Sequence, residues 1–397
     1  MSILSKRIER LSESETLAMA QRSRELKAKG HDVINLSLGE PDFFTPDYIK
    51  EAAKKGIDDN YTFYTPVNGY MDLREAICKK LKRDNNLEFT PDQIVASTGA
   101  KQAIANSVLC LTDPGDEIII PAPYWVSYKD IADIAEARGV YVQAGIENDF
   151  KITAGQLEKA ITPKTKLFIF SSPCNPTGSV YSKQELKKLA EVFERNPHVY
   201  IISDEIYELI NFSGKHESIA QFESIRSRVI IINGVSKGFC MTGWRLGYLA
   251  ADKEIAKACT KLQGQFTSGA AGISQRAALK AMETDPVETK QMLEKFKQRR
   301  DMVLELLKDI KGMKTNTPNG AFYIFPDISA YLGKSDGENL IAKSKDLCMY
   351  ILNSARVAVV PGDAFGNPNC IRISYATSEE LLKEAISRIK TALERLV

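Results

Sequence analysis

The sequence predicts a three-layer α/β/α domain built around a mostly parallel sheet of about seven strands, together with a smaller α+β domain. Seven short apolar runs lie between residues 90 and 250, and stretches with helical periodicity separate several of them. The runs are continuously apolar rather than alternating, which is typical of parallel strands covered by helices on both faces. The predicted strands are 94–97, 117–120, 140–142, 167–170, 199–202, 229–233 and 246–250.

Helical patterns connect these strands in the manner of a βαβ fold. Ligands of such sheets bind at the carboxyl ends of the strands, so residues just after each apolar run are the first candidates for chemistry. The predicted connecting helices are 100–111, 126–137 and 183–195.

The C-terminal third has a different pattern, with one long charged helix, short strands and a last amphipathic helix. This α+β pattern predicts a small domain formed by 1–45 and 291–397, beside a large domain formed by 46–290. The predicted elements are a helix over 288–311, strands at 321–324, 357–360 and 371–374, and a helix over 378–396.

Composition excludes several classes of protein. Lysine and arginine number 53 against 51 aspartates and glutamates, so the near-zero net charge argues against an electrostatically driven nucleic-acid binder. No apolar run is long enough to cross a bilayer, and the acids among the first 15 residues argue against a transit peptide. Seven scattered cysteines without a C-x-x-C pair favour a reduced compartment, with the cytoplasm as the default.

Lys237 is the first candidate for catalysis. It follows the apolar run 229–233 and stands between Ser236 and Gly238, where a desolvated amine can lose its proton and attack a carbonyl carbon. Most lysines are instead solvated surface residues, so this interpretation needs support from elsewhere in the chain.

Polar residues at two other strand ends provide that support. The turn after 167–170 presents the amide of Asn175, and the strand 199–202 is followed by Asp204 and Tyr207, which share a face if the chain turns helically. Each has an ordinary alternative, namely a simple turn for Asn175, a helix cap for Asp204 and a half-buried aromatic ring for Tyr207. Together with Lys237 they bring an amide, a carboxylate, a phenol and an amine to one sheet edge.

A phosphate site is also predicted. Thr98, Gly99, Ala100 and Lys101 open a helix, whose N-terminal N–H groups attract anions, and Arg245 and Ser236 can add a charge and a hydroxyl. No G-x-G-x-x-G or G-x-x-x-x-G-K-[ST] motif occurs, which argues against nicotinamide and nucleoside-triphosphate binding, and no H-E-x-x-H pair occurs either. The three histidines, His31, His198 and His216, have no metal-like spacing, so no metal site is predicted.

A phosphate, a Schiff-base lysine, an acid for a ring nitrogen and donors for a phenolate oxygen together describe pyridoxal phosphate. The chain resembles the class I aminotransferases of fold type I, within the aspartate aminotransferase branch typical of bacteria, over nearly its whole length. The resemblance rests on SLGEPDF at 37–43, YTPVNG at 64–69, PYWVSY at 123–128, NPTG at 175–178, SDEIY at 203–207, SK at 236–237, VVPG at 359–362 and RISY at 372–375.

The resemblance implies a role for each residue around the cofactor. Lys237 holds the cofactor aldehyde as a Schiff base and carries the proton at the substrate Cα, Asp204 pairs with the ring nitrogen, and Tyr207 and Asn175 bind the ring oxygen. The other implied contacts are Trp125 on the ring face, the Gly99-Ala100-Lys101 backbone with Ser236 and Arg245 on the phosphate, and Tyr64 on the phosphate of the neighbouring subunit. The last of these implies a homodimer with shared active sites.

The resemblance also implies how substrate binds. Arg372 would grip the α-carboxylate with Asn175 and the Gly39 backbone, where the commoner fate of an arginine is a surface ion pair. Lys101 and Thr16 would meet the distal carboxylate, with Trp125 beside the substrate, although Lys101 fits equally well as a solvated helix residue. Glu15 stands where the family often has a small residue.

The expected activity is transfer of the amino group of L-aspartate to 2-oxoglutarate by a ping-pong mechanism. An aminotransferase for aromatic amino acids, prephenate or neutral amino acids is the first alternative. A cofactor-binding regulator and a nicotinamide dehydrogenase are the others; the first is expected to need a separate DNA-binding segment and the second lacks its glycine motif.

Overall fold

The computed structural model describes residues 3–11, 15–284 and 287–397. The predicted domain ranges also include residues 1–2, 12–14 and 285–286, which lie outside the described residues. Within the described part, no helix combines the length and the apolar character that crossing a membrane requires.

Among the described residues, the strands form three sheets. A seven-stranded sheet has the order β2-β8-β7-β6-β5-β3-β4, a three-stranded sheet has the order β11-β12-β9, and β1 pairs with β10. The strands are β1 Ile34–Asn35, β2 Ile94–Ser97, β3 Glu117–Ala122, β4 Arg138–Gln143, β5 Thr165–Ser171, β6 Tyr200–Asp204, β7 Val229–Gly234, β8 Gly247–Ala250, β9 Tyr323–Ile324, β10 Val357–Ala358, β11 Val360–Pro361 and β12 Ile371–Ser374.

Helices cover both faces of the large sheet and the outside of the small ones. They are α1 Lys6–Glu9, α2 Glu15–Ala28, α3 Asp47–Asp58, α4 Met71–Asn85, α5 Ala100–Leu111, α6 Ser127–Ile134, α7 Ala154–Ala160, α8 Lys183–Arg195, α9 Glu223–Arg226, α10 Lys253–Phe266, α11 Gly272–Glu283, α12 Val287–Lys308, α13 Ser344–Ala355 and α14 Glu379–Leu393.

The three-layer prediction is confirmed by how the central strands divide their side chains. In β7, Val229 and Ile231 pack into one apolar cluster with α3, α4, α8 and α11, whereas Ile230 and Ile232 pack into another with α5, α6 and α10. Burying each such side chain contributes roughly 1.5–3 kcal/mol, which explains why both faces of these strands are apolar. The pairs β3–β4, β3–β5, β5–β6 and β6–β7 are parallel, and β8 runs antiparallel to both of its neighbours.

All seven strands of the central sheet were predicted, and the errors lie at element ends. The helix predicted over 126–137 ends at Ile134, because Ala135 caps it and Glu136 takes a left-handed φ of 58°. The strand predicted over 321–324 begins only at Tyr323, since Ala321 has a φ of 55°. The strand predicted over 357–360 is two short strands, because β10 pairs with β1 and β11 pairs with β12.

A separate apolar core joins the N-terminal segment to the C-terminal third. It contains Met19 and Ile34 from the start of the chain, with Phe296, Tyr323 and Ile386 from its end. This shared core supports the predicted small domain of 1–45 and 291–397, and the division at these residues stays a prediction. The strand end after β6 also packs here, so the candidate residues lie where the two cores meet.

Candidate active site

Lys237 lies in the turn after β7, three residues past the strand. Its Nζ donates a hydrogen bond of 2.5 Å to the carbonyl oxygen of Gly39, which belongs to the N-terminal segment. Burial, helped by the positive charges of Arg372 and Arg245 and opposed by the negative charge of Glu40, lowers the pKa of Lys237 to about 8. A sizeable fraction of the amine is therefore neutral near physiological pH, as a nucleophile or base requires.

Asp204 ends β6 and is buried. The hydroxyl of Tyr128 donates to its Oδ2 at 2.7 Å, and the backbone N–H of Ile206 donates to Oδ1 at 3.2 Å. Burial raises the pKa of Asp204 to about 6, although these two hydrogen bonds oppose the shift. A carboxylate with so costly a charge favours a cationic partner, and a protonated pyridine nitrogen meets that need.

Tyr207 shares this region with Lys237 and with a second tyrosine. The Nζ of Lys237 lies 5.8 Å from the centre of the Tyr207 ring, and the hydroxyls of Tyr207 and Tyr323 are 2.7 Å apart. Burial and the neighbouring Tyr323 raise the pKa of Tyr207, so its hydroxyl keeps its proton and can donate a hydrogen bond.

Arg372 is buried in β12, with 2% of its surface exposed, which rules out the surface ion pair. Its Nη1 donates to Asn175 Oδ1 at 3.0 Å and its Nη2 donates to the carbonyl of Ser37 at 2.6 Å. The guanidinium stacks 4.5 Å from the ring centre of Tyr323, and its Nε has no hydrogen-bond partner among the described residues. A buried guanidinium that holds only neutral acceptors is suited to a carboxylate ligand.

The predicted phosphate site lies at the start of α5. Gly99 precedes the helix with a φ of 84°, and a Cβ at this position would lie 2.5 Å from Nη2 of Arg245. Nη1 of Arg245 donates a hydrogen bond of 2.8 Å to the carbonyl of Thr242, and the rest of the side chain is exposed. Ser236, in the turn after β7, is buried. A helix N-terminus, a guanidinium and a backbone without a Cβ together fit a phosphate group.

Trp125 connects this site to Asp204. Its ring packs edge-on against Tyr128, with centroids 5.5 Å apart, and the Nζ of Lys101 lies 5.1 Å from its centre. Burial and the charge of Arg245 lower the pKa of Lys101. The first turn of α5 therefore places a second cation beside the phosphate site.

Two predicted residues are not joined to the others by the contacts within this chain. Tyr64 is 98% exposed, so its ring lies outside the packing of its own chain. Thr16 lies in the first turn of α2. The neighbouring Glu15 forms an ion pair with Lys345, in which Oε1 and Nζ are 2.6 Å apart. The ion pair with Lys345 neutralises Glu15, so this carboxylate does not add a net negative charge beside Thr16.

Two side chains of the site were given no role from the sequence. Tyr128 belongs to the PYWVSY motif at 123–128, and its buried hydroxyl donates a hydrogen bond to Asp204. Tyr323 contacts Tyr207 and Arg372, and a Cβ at Gly39 would lie 2.9 Å from its hydroxyl. Neither has a sequence signal beyond an aromatic residue in an apolar run, because their partners are distant in the chain.

Known proteins resemble this chain over its whole length. The family model for class I and II aminotransferases matches residues 31–389. A bifunctional aspartate aminotransferase and glutamate/aspartate-prephenate aminotransferase of Petunia hybrida is 47% identical, over 98% of this chain and 82% of the relative. An aspartate/prephenate aminotransferase of Cereibacter sphaeroides is also 47% identical, over 98% of each chain.

Solved structures agree with these relatives. An aspartate aminotransferase from Rhizobium meliloti superimposes with a TM-score of 0.96 at 42% identity, over all of both chains. The Thermus thermophilus aspartate aminotransferase with maleate gives 0.93 at 37% identity, over 99% of this chain and 100% of the other. This chain therefore belongs to the class I and II aminotransferases, enzymes of fold type I that work with pyridoxal 5′-phosphate.

Proposed function

We propose that this protein transfers the amino group of L-aspartate to 2-oxoglutarate, giving oxaloacetate and L-glutamate, in a ping-pong cycle. The observation that carries the proposal is the pairing of a lowered-pKa amine, Lys237, with a buried guanidinium, Arg372, that contacts no carboxylate among the described residues. One group is suited to proton transfer and the other to the carboxylate of an amino acid. The names of the relatives support aspartate as the donor.

The chain offers a group for each part of the cofactor. We assign Lys237 to its aldehyde, Asp204 to its ring nitrogen, Tyr207 and Asn175 to its ring oxygen and Trp125 to its ring face. The phosphate is assigned to the backbone of 99–101, with Ser236 and Arg245. When bound, pyridoxal phosphate supplies an electron sink for the electrons released at the substrate Cα.

The chain's own groups position the substrate and move its proton. Arg372 would hold the α-carboxylate in a bidentate grip beside Asn175, which orients the Cα–H bond toward the amine of Lys237. That amine has a pKa of about 8, so a fraction of it is neutral near physiological pH; it would accept the proton from the substrate Cα and pass it to the aldehyde carbon of the cofactor. Asp204 would remain ionised opposite a protonated ring nitrogen.

A dicarboxylic substrate is supported by the charges around the site. Lys101 brings a cation to the first turn of α5 beyond the arginine assigned to the phosphate, and Lys345 neutralises Glu15 next to Thr16. The Thermus thermophilus relative was solved with maleate, itself a dicarboxylate. Prephenate is the second candidate, because the Cereibacter sphaeroides relative is named for both substrates.

We further propose that the protein acts in the cytoplasm as a homodimer in which Tyr64 completes the partner's phosphate site. Three aromatic side chains support a second copy, because Phe44, Phe63 and Tyr64 are 91%, 81% and 98% exposed. The seven free cysteines support a reducing compartment.

Half-reactions test the substrate. Purified enzyme loaded with pyridoxal phosphate is mixed with aspartate, phenylalanine or alanine, and conversion of the cofactor is followed by absorbance. We expect aspartate to convert it fastest, and no conversion by aspartate would overturn the proposal. The same assay, run in reverse with prephenate as acceptor, tests the second candidate.

Borohydride reduction tests the lysine. Peptide mapping should place a reduced pyridoxyl group on Lys237 alone, and Lys237→Ala should lower kcat by at least about 10⁴-fold. Lys253→Ala, which removes an exposed lysine paired with Asp92, is the matched control and should leave kcat unchanged.

A further inference from the structure

The turn that carries Asp204 and Tyr207 has a second, buried side. Residues 204 and 207 face Tyr128 and Tyr323, whereas Glu205 and Glu208 face the opposite way. This division follows from the local geometry, because Ile202 packs on the α5 and α6 side of the sheet and Ile201 packs on the α4 side. Side chains alternate along β6, and the turn that follows keeps residues three apart on one side.

Glu205 is held by three donors. Its Oε1 accepts from the hydroxyls of Ser203 at 2.9 Å and Ser218 at 2.6 Å, and its Oε2 lies 3.0 Å from Nε2 of His216. Both Glu205 and His216 are buried. An ionised carboxylate in this position is stabilised only while its donors stay in place.

Glu208 is held from α4. The ammonium group of Lys80 pairs with Glu208 Oε1 and donates to Asn85 Oδ1 at 2.9 Å, and Asn85 Nδ2 donates to Glu208 Oε2 at 3.1 Å. Lys80 and Glu208 are both buried, so neither charge can be left unpaired without a large cost. The four residues Lys80, Glu205, Glu208 and His216 are called the buried charge network below.

The network is close to neutral only if His216 carries a proton. Burial lowers the pKa of His216, but the charges of Glu205 and Glu208 more than offset this effect, so the pKa is raised overall. Two carboxylates then face one ammonium and one imidazolium group. The ligand atoms of Glu205, Glu208 and His216 lie within 4.8 Å of one another, a spacing that also suits a metal. Because Lys80 already supplies the balancing charge beside Glu208, we assign the cluster to ion pairing.

The network also acts on Asp204 through its charge. Glu205 is the next residue in the chain, and its negative charge raises the pKa of Asp204. An imidazolium on the far side of Glu205 cancels part of that field. The charge of His216 is therefore coupled to the ionisation of the carboxylate assigned to the cofactor ring.

We propose that His216, as a buried imidazolium, is a positioning residue that sets the orientation and the electrostatic environment of Asp204 and Tyr207 through Glu205, while Lys80 anchors Glu208 at the other end of the same turn. The inference rests on the proposed function, because it assigns the turn to the cofactor. None of the four residues of the network is among those assigned to the cofactor or the substrate.

The test is a double-mutant cycle on the pair, read from the pH at which the absorbance of the bound cofactor changes. His216→Asn leaves Glu205 uncompensated, so the midpoint should rise by on the order of one pH unit. Glu205→Gln should move it in the opposite direction, and the double variant should return it near the wild-type value. His216→Asn should also lower kcat by roughly 10-fold while the KM for aspartate changes little.

Other titratable groups act on the same region and stay unchanged in all three variants. Those near Asp204 are Tyr128, Cys174, Tyr207 and Lys237. Within the network, Lys80 and Glu208 act on the substituted pair, and Asp84 and Tyr248 lie beside the network. Opposite shifts in the two single variants therefore report the charges of the substituted pair.

Arg74→Met is the matched control for buried charge on the same element. Arg74 is a buried cation of α4 that donates to the carbonyls of Gly69 and Pro91, away from the network. The Arg74→Met variant should be less stable to heat than the wild type, but the pH midpoint of its cofactor absorbance should be unchanged. Lys80→Met should lose stability as well, and it should also lower kcat.

The outcomes separate the possibilities. If both single variants titrate like the wild type, the network only stabilises the fold and the proposal is wrong. If His216→Asn does not fold, Glu205→Gln alone decides, since an unchanged midpoint in that variant has the same meaning. If the midpoints shift as expected but the wild type does not transaminate aspartate, the role proposed for the network is supported and the proposed substrate is wrong.

Discussion

Burial is what makes ordinary residue types chemically useful in this molecule. Lys237 and Asp204 both have pKa values moved toward neutrality, to about 8 and about 6, chiefly by burial. The amine can then lose a proton under mild conditions, and the carboxylate is poised to stabilise a positive charge brought by a ligand. Both shifts lower the free energy of unfolding of the protein without its cofactor.

Asp204→Asn is expected to stabilise the cofactor-free protein while it abolishes most activity. The folded state keeps a proton on Asp204 between the usual 3.8 and about 6, whereas the unfolded chain releases it. The penalty for the ionised group is therefore absent below pH 4 and complete above pH 6, where it reaches about 3 kcal/mol at most. The free energies of unfolding of the wild type and of Asp204→Asn, measured with denaturant at pH 4 and pH 7.5, check this. Equal values for the two proteins at pH 7.5 would contradict it.

Arg372→Lys is expected to lower kcat/KM for aspartate by roughly 10- to 100-fold, because one ammonium cannot reproduce a bidentate grip worth about 1.5–3 kcal/mol per charged hydrogen bond. Steady-state kinetics measure the loss. Arg388→Lys, at an arginine paired with the exposed Asp32, is the control and should leave kcat/KM unchanged. A variant at 372 with normal kcat/KM would remove Arg372 from the substrate site.

At the scale of elements, the start of α5 shows how one backbone position serves both the fold and the site. Gly99 adopts a left-handed φ of 84° that brings the chain from β2 into the helix, and it leaves the room in which Arg245 lies. Any other residue here adds strain and displaces the guanidinium.

Gly99→Ala is expected to cost about 1–2 kcal/mol of stability and to weaken binding of pyridoxal phosphate, since its Cβ pushes Arg245 away from the phosphate site. Gly115→Ala is the matched control, because Gly115 has a similar φ of 92° and open space around it. Both variants should lose stability, and only the first should raise the dissociation constant of the cofactor, measured by fluorescence titration. Equal dissociation constants would show that Gly99 serves the turn alone.

At the scale of the whole molecule, the site lies where two apolar cores meet. Asp204 and Lys237 come from the ends of central strands, whereas Arg372 and Gly39 come from segments associated with the second core. Their hydrogen bonds cross this boundary, from Lys237 to Gly39 and from Arg372 to Asn175. A change in how the cores sit against each other would therefore change the distance between the proton-transferring amine and the carboxylate grip.

Shared active sites can be tested by mixing two inactive variants. Lys237→Ala and Tyr64→Ala each damage every site in their own homodimers, but a mixed dimer has one site with both residues intact. Mixing after subunit exchange should restore roughly a quarter of the wild-type activity, because half of the dimers are mixed and half of their sites are intact. No recovery in a preparation shown by mass to contain mixed dimers would place Tyr64 outside the partner's site.

Much of the large domain was predictable because local pattern and tertiary role agree there. The strands buried on both faces are continuously apolar, and helix α5 begins and ends where its periodicity does. The small domain was predicted less well, since its short strands depend on partners far along the chain. Val359 separates β10 from β11 only because the two pair with different strands.

Sequence alone determined the large-sheet strands, the candidate lysine, aspartate, tyrosine and arginine, and the family that they indicate. Tertiary structure alone decided that Tyr128 bonds Asp204, that Tyr323 joins Tyr207 to Arg372, and that Lys345 neutralises Glu15. The reason is physical: residue type and periodicity are local, whereas a pKa, an unpaired guanidinium or a buried ion pair depends on which distant side chains the folded chain brings within a few ångströms.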